Sequence, residues 1–467
     1  MVGLALRRVG RGRRYAADMG HPAPVAMSCR HLWWRSQAAG LLGAALALTW
    51  ATPTVAQDLP RVRQTIEKLT SPAFHGRGYV NQGEQRAANY LVQRFRALGL
   101  QPLAPGFRQP FMLPINTFPG RAELRADNQA LRPGLDFIAE PNSGSGHLCG
   151  PVYQPDTLVF SQPTAQAALL ATPLTGAVLV LSQAQVRRLP ALPAAVQAHL
   201  ATAAGRLTLV SGKLTASLAG EQAPQPRLEV RAAAWPATTR TVSLRLDATL
   251  VPAYPTQNVV GYLPGTARPD SFLVVSAHYD HLGQLGRATY FPGANDNASG
   301  VAMLLELAAY YARPENRPAY SVAFLAFGAE EAGLVGSRYF VEHPLVPLAN
   351  IKLLANLDLL GTGGEGLTVV NGRVFEKQFA QLQQLNTVHH YVPSLAARGR
   401  AANSDHFYFS ERGVPALFFY TRGGISAYHD VLDRPETLPL TAFSAVFNLL
   451  RDFLNQLGAS SAVRSEK

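Results

Sequence analysis

Cysteine and charge are both scarce in this chain. Two of the 467 residues are cysteine, Cys29 near the N-terminus and Cys149 in a glycine-rich stretch, so no internal disulfide is expected to stabilise the fold. Only 15% of the residues are charged, and no cluster of lysine and arginine alternates with aromatic residues, which argues against a nucleic-acid partner. With 47% hydrophobic residues, a chain of this length buries a sizeable core and ordinarily divides into more than one domain.

The N-terminal segment has the pattern of a secretory signal. Two arginines precede the apolar run AAGLLGAALALTWA, residues 38–51, and small residues follow as far as Ala56. We predict a signal peptide over residues 1–56, with Met27 as an alternative start, and therefore a periplasmic or extracellular protein. The run is shorter than the ~20 residues of a membrane span, so no stable span is expected after cleavage, with an uncleaved anchor as the alternative. Without residues 1–56 the formal charge falls from +12 to +6, because seven arginines and one aspartate lie there, which is weak evidence for an acidic partner.

Apolar residues at helical spacing predict two helices after the signal, RVRQTIEKL (61–69) and EQRAANYLVQRFRALGL (84–100). We assign residues 57–150 to the N-terminal part of the main domain and its connecting loops. Residues 101–150 are rich in Pro, Gly and Asn, which predicts loops and short strands there. Residues 151–250 have strands and a helix of their own but no cluster of His, Asp or Glu, and we predict a smaller inserted α+β domain there. A short tail at 461–467 is expected to be disordered.

Residues 251–460 are predicted to form an α/β domain. The runs SFLVVSAH, YSVAFLAFG, IKLLANLDLL and PALFFYT are nearly continuous apolar segments, as expected for strands covered on both faces. Between them, GVAMLLELAAYYA, LVGSRYFVEH and VFEKQFAQLQQL are predicted helices. This alternation predicts a three-layer α/β/α fold with a mostly parallel central sheet.

Candidate functional residues follow the predicted strands. Ligands of such sheets bind beyond the carboxyl ends of the strands. The residues in that position are His278, Tyr279, Asp280, His281, Asp296, Glu330, Glu331, Asp358, Tyr428, His429 and Asp430. The adjacent glutamates of AEEAG would repel each other unless they are solvated, share a proton or face a cation.

The residue types at these strand ends indicate a metal site. Imidazole and carboxylate without thiolate are the ligands of hydrolytic zinc, and they are too many here for one tetrahedral ion that keeps a water, so they suit two ions. Each residue has an ordinary alternative: His278 as a core histidine, Asp296 as a helix N-cap, Asp358 as a turn residue and His429 as a surface residue. Their coincidence at successive strand ends favours the metal.

Seven ordered motifs carry a resemblance to a known family. They are AHYDH, GANDNASG, AEEAGLVGSRYF, NLDLLG, SDHFYF, GVPALFFY and AYHDVLDRPE. In this order and spacing they resemble the di-zinc aminopeptidases of the MH clan, a family that includes secreted bacterial leucyl aminopeptidases, aminopeptidase Y, glutamate carboxypeptidase and the transferrin receptor ectodomain. The match covers about residues 256–455, and the helices within 61–100 look like the family's N-terminal portion.

The resemblance implies a role for each matching residue and two Zn²⁺ ions per chain. His278, Asp296 and Asp358 would bind one zinc, while Asp296, Glu331 and His429 would bind the other. Glu330 would be the general base, passing a proton from water to the leaving amine. Asp280 would accept from the outer nitrogen of His278. Three residues would support the site more weakly, with a purely structural role as the alternative: Tyr428 as an oxyanion donor, and Asp405 and His406 as residues that shape the site.

The implied reaction is hydrolysis of peptide substrates, most simply the release of N-terminal amino acids. The inserted segment loosely resembles a protease-associated domain, which would border the cleft and limit access by large substrates. Two rivals have the same fold: a glutaminyl cyclase with one zinc, and a non-catalytic receptor-like module that has lost its ligands. Carboxypeptidase activity also remains open, because Arg398, Arg400, Arg412 and Arg422 are expected to flank the cleft. The oligomeric state is not predicted.

Overall fold

A computed structural model describes residues 58–459. The predicted signal peptide, residues 1–56, and the predicted disordered tail, residues 461–467, lie outside the described residues. Within them the chain forms ten α-helices: α1 Leu59–Thr70, α2 Gly83–Ala97, α3 Pro163–Leu170, α4 Gln183–Arg188, α5 Ala194–Leu200, α6 Gly300–Tyr311, α7 Val335–Glu342, α8 Glu376–His389, α9 His406–Glu411 and α10 Phe443–Ala459.

The two predicted N-terminal helices are confirmed. Helix α1 begins after Asp58, whose carboxylate accepts from the backbone N–H of Arg61, and proline occupies its first turn, where no intrahelical donor is needed. Val62, Ile66 and Leu69 recur along one buried face of α1. Helix α2 buries a comparable face, so both helices pack on the main hydrophobic core.

The strands of the described residues form two large sheets and one small hairpin. In chain order they are β1 Gln101–Pro102, β2 Arg108–Thr117, β3 Ala122–Ala126, β4 Gln129–Leu131, β5 Phe137–Ala139, β6 Gly146–Tyr153, β7 Val178–Ser182, β8 Gly205–Val210, β9 Arg227–Arg231, β10 Thr241–Leu246, β11 Thr249–Leu263, β12 Arg268–His278, β13 Gln284–Leu285, β14 Thr289–Tyr290, β15 Tyr320–Phe327, β16 Ile351–Leu357, β17 Gly366–Val370, β18 Leu395–Ala397 and β19 Ala416–Arg422.

The central sheet has the order β1-β11-β15-β12-β16-β19-β17-β18, with β2 also paired to β11. Its middle strands, β15, β12, β16 and β19, are parallel neighbours. Antiparallel pairs lie on either side, β11 with β15 and β17 with β19. The predicted α/β fold is confirmed, and its parallel part is the part that carries the candidate site.

Helices cover both faces of the central sheet. Alternate residues of β12 point to opposite sides, so that Leu273 and Val275 join the core formed with α1, α2, α6 and α10. Val274 joins a second core, which includes Phe340 of α7 and Phe409 of α9. These strands are therefore buried on both faces, which is why their sequences are apolar throughout.

The second sheet has the order β4-β3-β10-β6-β7-β8-β9-β5. Three strands expected in the inserted segment, β7, β8 and β9, belong to this sheet, and the expected helix is α5, between β7 and β8. The sheet also includes strands that precede the predicted boundary at residue 151, which lies inside β6. These are the short strands β3, β4 and β5, which pair with β10, β3 and β9. Leu282, Phe291 and Val431 of the main domain pack into the core of this sheet.

No helix within residues 58–459 combines the length and apolar character needed to cross a bilayer.

Candidate metal centre

Strand ends place the candidate residues at one edge of the central sheet. His278 is the last residue of β12, Glu330 and Glu331 follow β15, and Asp358 follows β16. Asp296 lies in the turn before α6. Because β12, β15 and β16 are parallel, their carboxyl ends meet at this edge, as predicted from the sequence.

Asp296 lies between two histidines. Its Oδ1 is 3.3 Å from Nε2 of His278, and its Oδ2 is 3.1 Å from Nε2 of His429. Each histidine faces one further carboxylate: Nε2 of His278 is 3.4 Å from Asp358, and Nε2 of His429 is 3.0 Å from Glu331. The five predicted ligands therefore form two groups that share Asp296.

Glu330 is placed differently from its neighbour Glu331. Its Oε2 is 3.9 Å from Nε2 of His278, and its side chain lines a cavity of about 290 Å³. Burial and the neighbouring carboxylates raise the pKa of Glu330 well above its ordinary value, with His278 opposing them. Besides the site residues, the cavity is lined by Leu359, Arg398, Asn403, Phe418, Tyr420 and Tyr428.

The site is rich in negative charge and has the donors of a cation site. Although burial favours a neutral ring, Glu331 and Asp296 raise the pKa of His429 to about 11. Asp358 Oδ1 is buried and has no hydrogen-bond partner within residues 58–459. Donor atoms of two overlapping groups lie within 4.8 Å of one another: His278, Glu330 and Asp358, and His278, Asp296 and Glu331. Imidazole and carboxylate donors at this spacing fit zinc.

Small residues let the ligand-bearing segments approach closely. A Cβ on Gly300 would lie 2.4 Å from the carbonyl oxygen of Leu357, so glycine is needed where the Asp296 turn meets the strand that precedes Asp358. Ala329, directly before the glutamate pair, has a left-handed φ of 58°. Such a conformation is costly for a non-glycine residue and is found most often at functional sites.

Residues 258–454 match the family model described as Peptidase family M28. We call residues 258–454 the M28 segment. The match spans the five candidate ligands and Glu330, and it excludes the second sheet, whose strands end at Leu246.

Curated relatives of the chain match it over parts of their length. A probable zinc metalloprotease of Pyricularia oryzae is 40% identical over 113 residues, covering 23% of this chain and 22% of that protein. Aminopeptidase YwaD of Bacillus subtilis is 28% identical over 217 residues, covering 44% of each chain. The chain thus spans less than half the length of these relatives.

Solved structures share the fold over most of the chain. A zinc aminopeptidase from Bacillus subtilis has a TM-score of 0.62 at 20% identity and covers 85% of this chain and 94% of its own. An aminopeptidase from Aneurinibacillus sp. strain AM-1 has a TM-score of 0.59 at 19% identity, covering 86% and 94%. At this identity the comparison establishes the α/β fold.

Asp280 of the M28 segment holds the backbone of the glutamate pair. Its carboxylate accepts from the backbone N–H of Glu330 at 3.1 Å, from that of Glu331 at 3.4 Å and from the hydroxyl of Tyr79 at 3.1 Å. The carboxylate of Asp280 was expected to accept a hydrogen bond from His278. Instead, Nδ1 of His278 lies closer to the Asp280 carbonyl oxygen, at 3.3 Å, than to the carboxylate, at 3.8 Å. Three other donors occupy the carboxylate, so the main-chain oxygen is the closer acceptor for His278.

Two further residues contact the candidate ligands or their backbone and were given no role from the sequence. His281 Nδ1 lies 2.6 Å from Oε1 of Glu331, the oxygen that faces away from His429. Asp433 is buried and accepts from the backbone N–H groups of Asn295 and Asp296 at 2.8 and 2.9 Å. Both lie within the recognised motifs AHYDH and AYHDVLDRPE, so proximity to a ligand in sequence was the available signal.

Arg77 lies outside the M28 segment and was also missed. It is fully buried, and its guanidinium donates to the carbonyl oxygens of Leu69, Tyr279, Pro292, Gly293 and Asp296. Burial lowers its pKa to about 10, while the charge of Asp296 and other carboxylates opposes the shift. One arginine thereby ties the N-terminal helices to the turn that carries the shared ligand.

The loop between β8 and β9 of the second sheet contacts the M28 segment at His429. Nδ1 of His429 lies 2.9 Å from the carbonyl oxygen of Ala216, which leaves Nε2 to face the carboxylates. Lys213 donates to the carbonyl oxygens of Ser426 and Tyr428 at 2.9 and 2.7 Å, and it lies 2.7 Å from the carboxylate of Asp430. Residues 213–216 therefore hold the loop that carries the candidate ligand His429.

Of the three residues expected to support the site, Tyr428 lines the cavity, whereas Asp405 and His406 are buried. Tyr428 lines the cavity and stacks on the His429 ring at 4.0 Å between centroids. Asp405 is fully buried, and burial raises its pKa to about 7 despite the opposing charge of His278. His406 is buried against Phe418, and burial lowers its pKa to about 4. Ser404, which was not predicted, donates to Asp358 at 3.0 Å.

Proposed function

We propose that the protein is an exported zinc aminopeptidase that binds two Zn²⁺ ions. The observation that carries the proposal is the division of the Asp296 carboxylate, with Oδ1 facing His278 and Oδ2 facing His429. A carboxylate shared between two metal ions about 3.5 to 4 Å apart is the arrangement of two-metal hydrolases. The names of the relatives, a zinc metalloprotease and an aminopeptidase, support the same activity.

The chain's own residues divide into two ligand groups. His278 and Asp358 would hold one ion, Glu331 and His429 the other, with Asp296 common to both. Bound zinc supplies a Lewis acid that polarises a peptide carbonyl and makes water nucleophilic near neutral pH. The carbonyl oxygen of Ala216 and the carboxylate of Glu331 fix the orientation of the His429 ring from its two sides.

Glu330 is the base in this proposal. Its carboxylate lines the cavity and stands beside the ligands, so it can take a proton from the attacking water and return it to the leaving amine. The raised pKa of Glu330 suits a group that must both accept and donate a proton. The Tyr428 hydroxyl is the candidate donor to the tetrahedral oxyanion, because Tyr428 lines the same cavity.

Export rests on the sequence pattern of residues 1–56. Fractionation of cells that express the full chain tests this part, and a protein confined to the cytoplasm with residues 1–56 still attached would contradict it.

A substrate panel tests the activity. Leucine p-nitroanilide, an N-acetylated peptide and a peptide with N-terminal glutamine are incubated with the purified protein in the presence of zinc. We expect turnover of the free-amine anilide and release of free amino acids. Turnover of the blocked peptide alone would overturn the aminopeptidase, and ring closure of the glutamine peptide would identify a cyclase. Absence of any turnover would support the receptor-like alternative.

A further inference from the structure

Arg398 is a positively charged residue in the wall of the candidate active-site cavity. It directly follows β18, and its backbone is anchored on both sides. Its N–H donates to the carbonyl oxygen of Val369 at 2.9 Å, and its carbonyl oxygen accepts from Arg373 at 3.1 Å. Arg398 is exposed, so its guanidinium is accessible to solvent while its backbone is held by these two hydrogen bonds.

The other arginines expected near the cleft, Arg400, Arg412 and Arg422, do not line the cavity. Arg400 forms an ion pair with Glu411 at 2.8 Å, and Arg422 donates to the hydroxyl of Ser394. Arg398 donates to the hydroxyl of Tyr420 at 3.0 Å, and no carboxylate within residues 58–459 lies within 4.0 Å of its guanidinium nitrogens. Since a guanidinium has five donors in a planar fork, Arg398 retains the donors for a bidentate carboxylate.

Arg398 lines the same cavity as the candidate metal ligands. Ser404, a few residues along the same segment, donates to the ligand Asp358, and Asn403 lines the cavity beside it. Arg398 and Glu330 thus belong to the walls of one cavity. At about 290 Å³ the cavity lies at the small end of the range of ligand pockets, so it suits one or two residues of a peptide.

We propose that Arg398 binds a carboxylate of the substrate close to the scissile bond. The proposal rests on the peptidase function proposed above. The same chemistry has two sources: the free C-terminal carboxylate of a dipeptide, or an acidic side chain on the N-terminal residue. In either case the guanidinium selects for substrates with a second charge beside the bond that is cleaved.

The experiment compares substrates that differ only in that charge. The first pair is leucylglycine and leucylglycine amide, which separates the C-terminal source. The second pair is glutamic acid p-nitroanilide and glutamine p-nitroanilide, which separates the side-chain source. The kcat/KM ratio of charged to neutral substrate is measured for the wild type, Arg398→Gln and Arg398→Lys.

In the wild type we expect one of the two ratios to favour the charged substrate. Arg398→Gln should lower that ratio about 10- to 100-fold, the range for loss of a hydrogen bond to a charged group. Arg398→Lys should recover part of it, because lysine keeps the charge without the fork. Arg400→Gln is the matched control, since Arg400 is paired with Glu411, and both ratios should stay at the wild-type values.

The outcomes distinguish this proposal from the proposed function. If the wild type cleaves the neutral substrates and Arg398→Gln changes neither ratio, the carboxylate role of Arg398 is wrong and the peptidase assignment stands. If the wild type cleaves none of the four substrates, the proposed function fails. An equal effect of Arg400→Gln would show that general surface charge, rather than Arg398, sets the preference.

Discussion

At the residue scale, the pKa values of the adjacent glutamates Glu330 and Glu331 are shifted in opposite directions. Although burial and Asp296 oppose the shift, His429 and His281 lower the pKa of Glu331 to about 2. Burial raises the pKa of Glu330 well above its ordinary value, and its side chain lines the cavity. In the proposed function, Glu330 is the base because its side chain lines the cavity, and Glu331 is the ligand because its carboxylate lies 3.0 Å from Nε2 of His429.

Matched substitutions of the two glutamates test this division. Glu330→Gln should lower kcat by at least about 10² to 10⁴, the usual contribution of a general base, and should retain the zinc of the wild type. Glu331→Gln should instead lower zinc content, because it weakens a ligand. The measurements are steady-state kinetics and metal analysis of the purified variants. If Glu330→Gln loses its zinc while Glu331→Gln keeps it, the roles are reversed.

His281 forms a hydrogen bond with the carboxylate of Glu331 and holds its orientation. His281→Phe removes the donor to Oε1 of Glu331 and keeps an aromatic ring in the buried site, so zinc affinity should fall about 10- to 100-fold. Competition with a chromogenic chelator measures the affinity. His343→Gln provides the control, because His343 is exposed at the end of α7, away from the ligands. An unchanged affinity of His281→Phe would show that the contact does not position the ligand.

At the element scale, Lys213 connects the loop after β8 to the loop that carries His429. Its three contacts hold the loop from Ser426 to Asp430, which includes His429. Lys213→Met should therefore release zinc to a chelator faster than the wild type and lower kcat, with a small change in melting temperature because the lysine is partly exposed. Lys352→Met is the control, since the closest contact of its amine is a carbonyl oxygen at 3.4 Å. Equal chelation rates for both variants would contradict a positioning role.

Much of the element pattern could be predicted from the sequence. Strands such as β15 are buried on both faces and are therefore apolar throughout, and parallel strands bring the residues that follow them to one edge. The contact of His429 with Ala216 could not be predicted, because a backbone carbonyl is the acceptor and 213 positions separate the residues. The guanidinium of Arg77 likewise binds carbonyl oxygens, which have no residue signature. Short strands were expected within residues 101–150, but their pairing into the second sheet was not, because such short strands carry no signal of their partners.

At the scale of the whole molecule, Glu84 couples stability to pH. It is buried beneath the site, where Oε1 accepts from Thr256, Gln257 and Tyr279 and Oε2 has no partner among the described residues. Burial raises its pKa from 4.5 to about 7, although these hydrogen bonds oppose the shift. Because the folded state keeps a proton that the unfolded state has lost, this residue's contribution to stability falls as pH rises from about 4.5 to 7.

Glu84→Gln tests that coupling. Glutamine can place its carbonyl oxygen at Oε1 and its amide at Oε2, so the three donors keep an acceptor. Urea unfolding of both proteins at pH 5 and pH 8, with equal zinc, should show the variant gaining stability relative to the wild type as pH rises, by about 1.4 kcal/mol per unit of pKa shift. Parallel pH profiles of the two proteins would contradict the raised pKa.

Zinc stoichiometry tests the two-ion site most directly. The purified wild-type protein and Asp296→Ala are loaded with zinc, freed of loosely bound metal and analysed by inductively coupled plasma mass spectrometry. The account predicts two zinc ions per wild-type chain and loss of both from Asp296→Ala, because each ion depends on a different oxygen of that carboxylate. One zinc per wild-type chain, or two retained by Asp296→Ala, would contradict it.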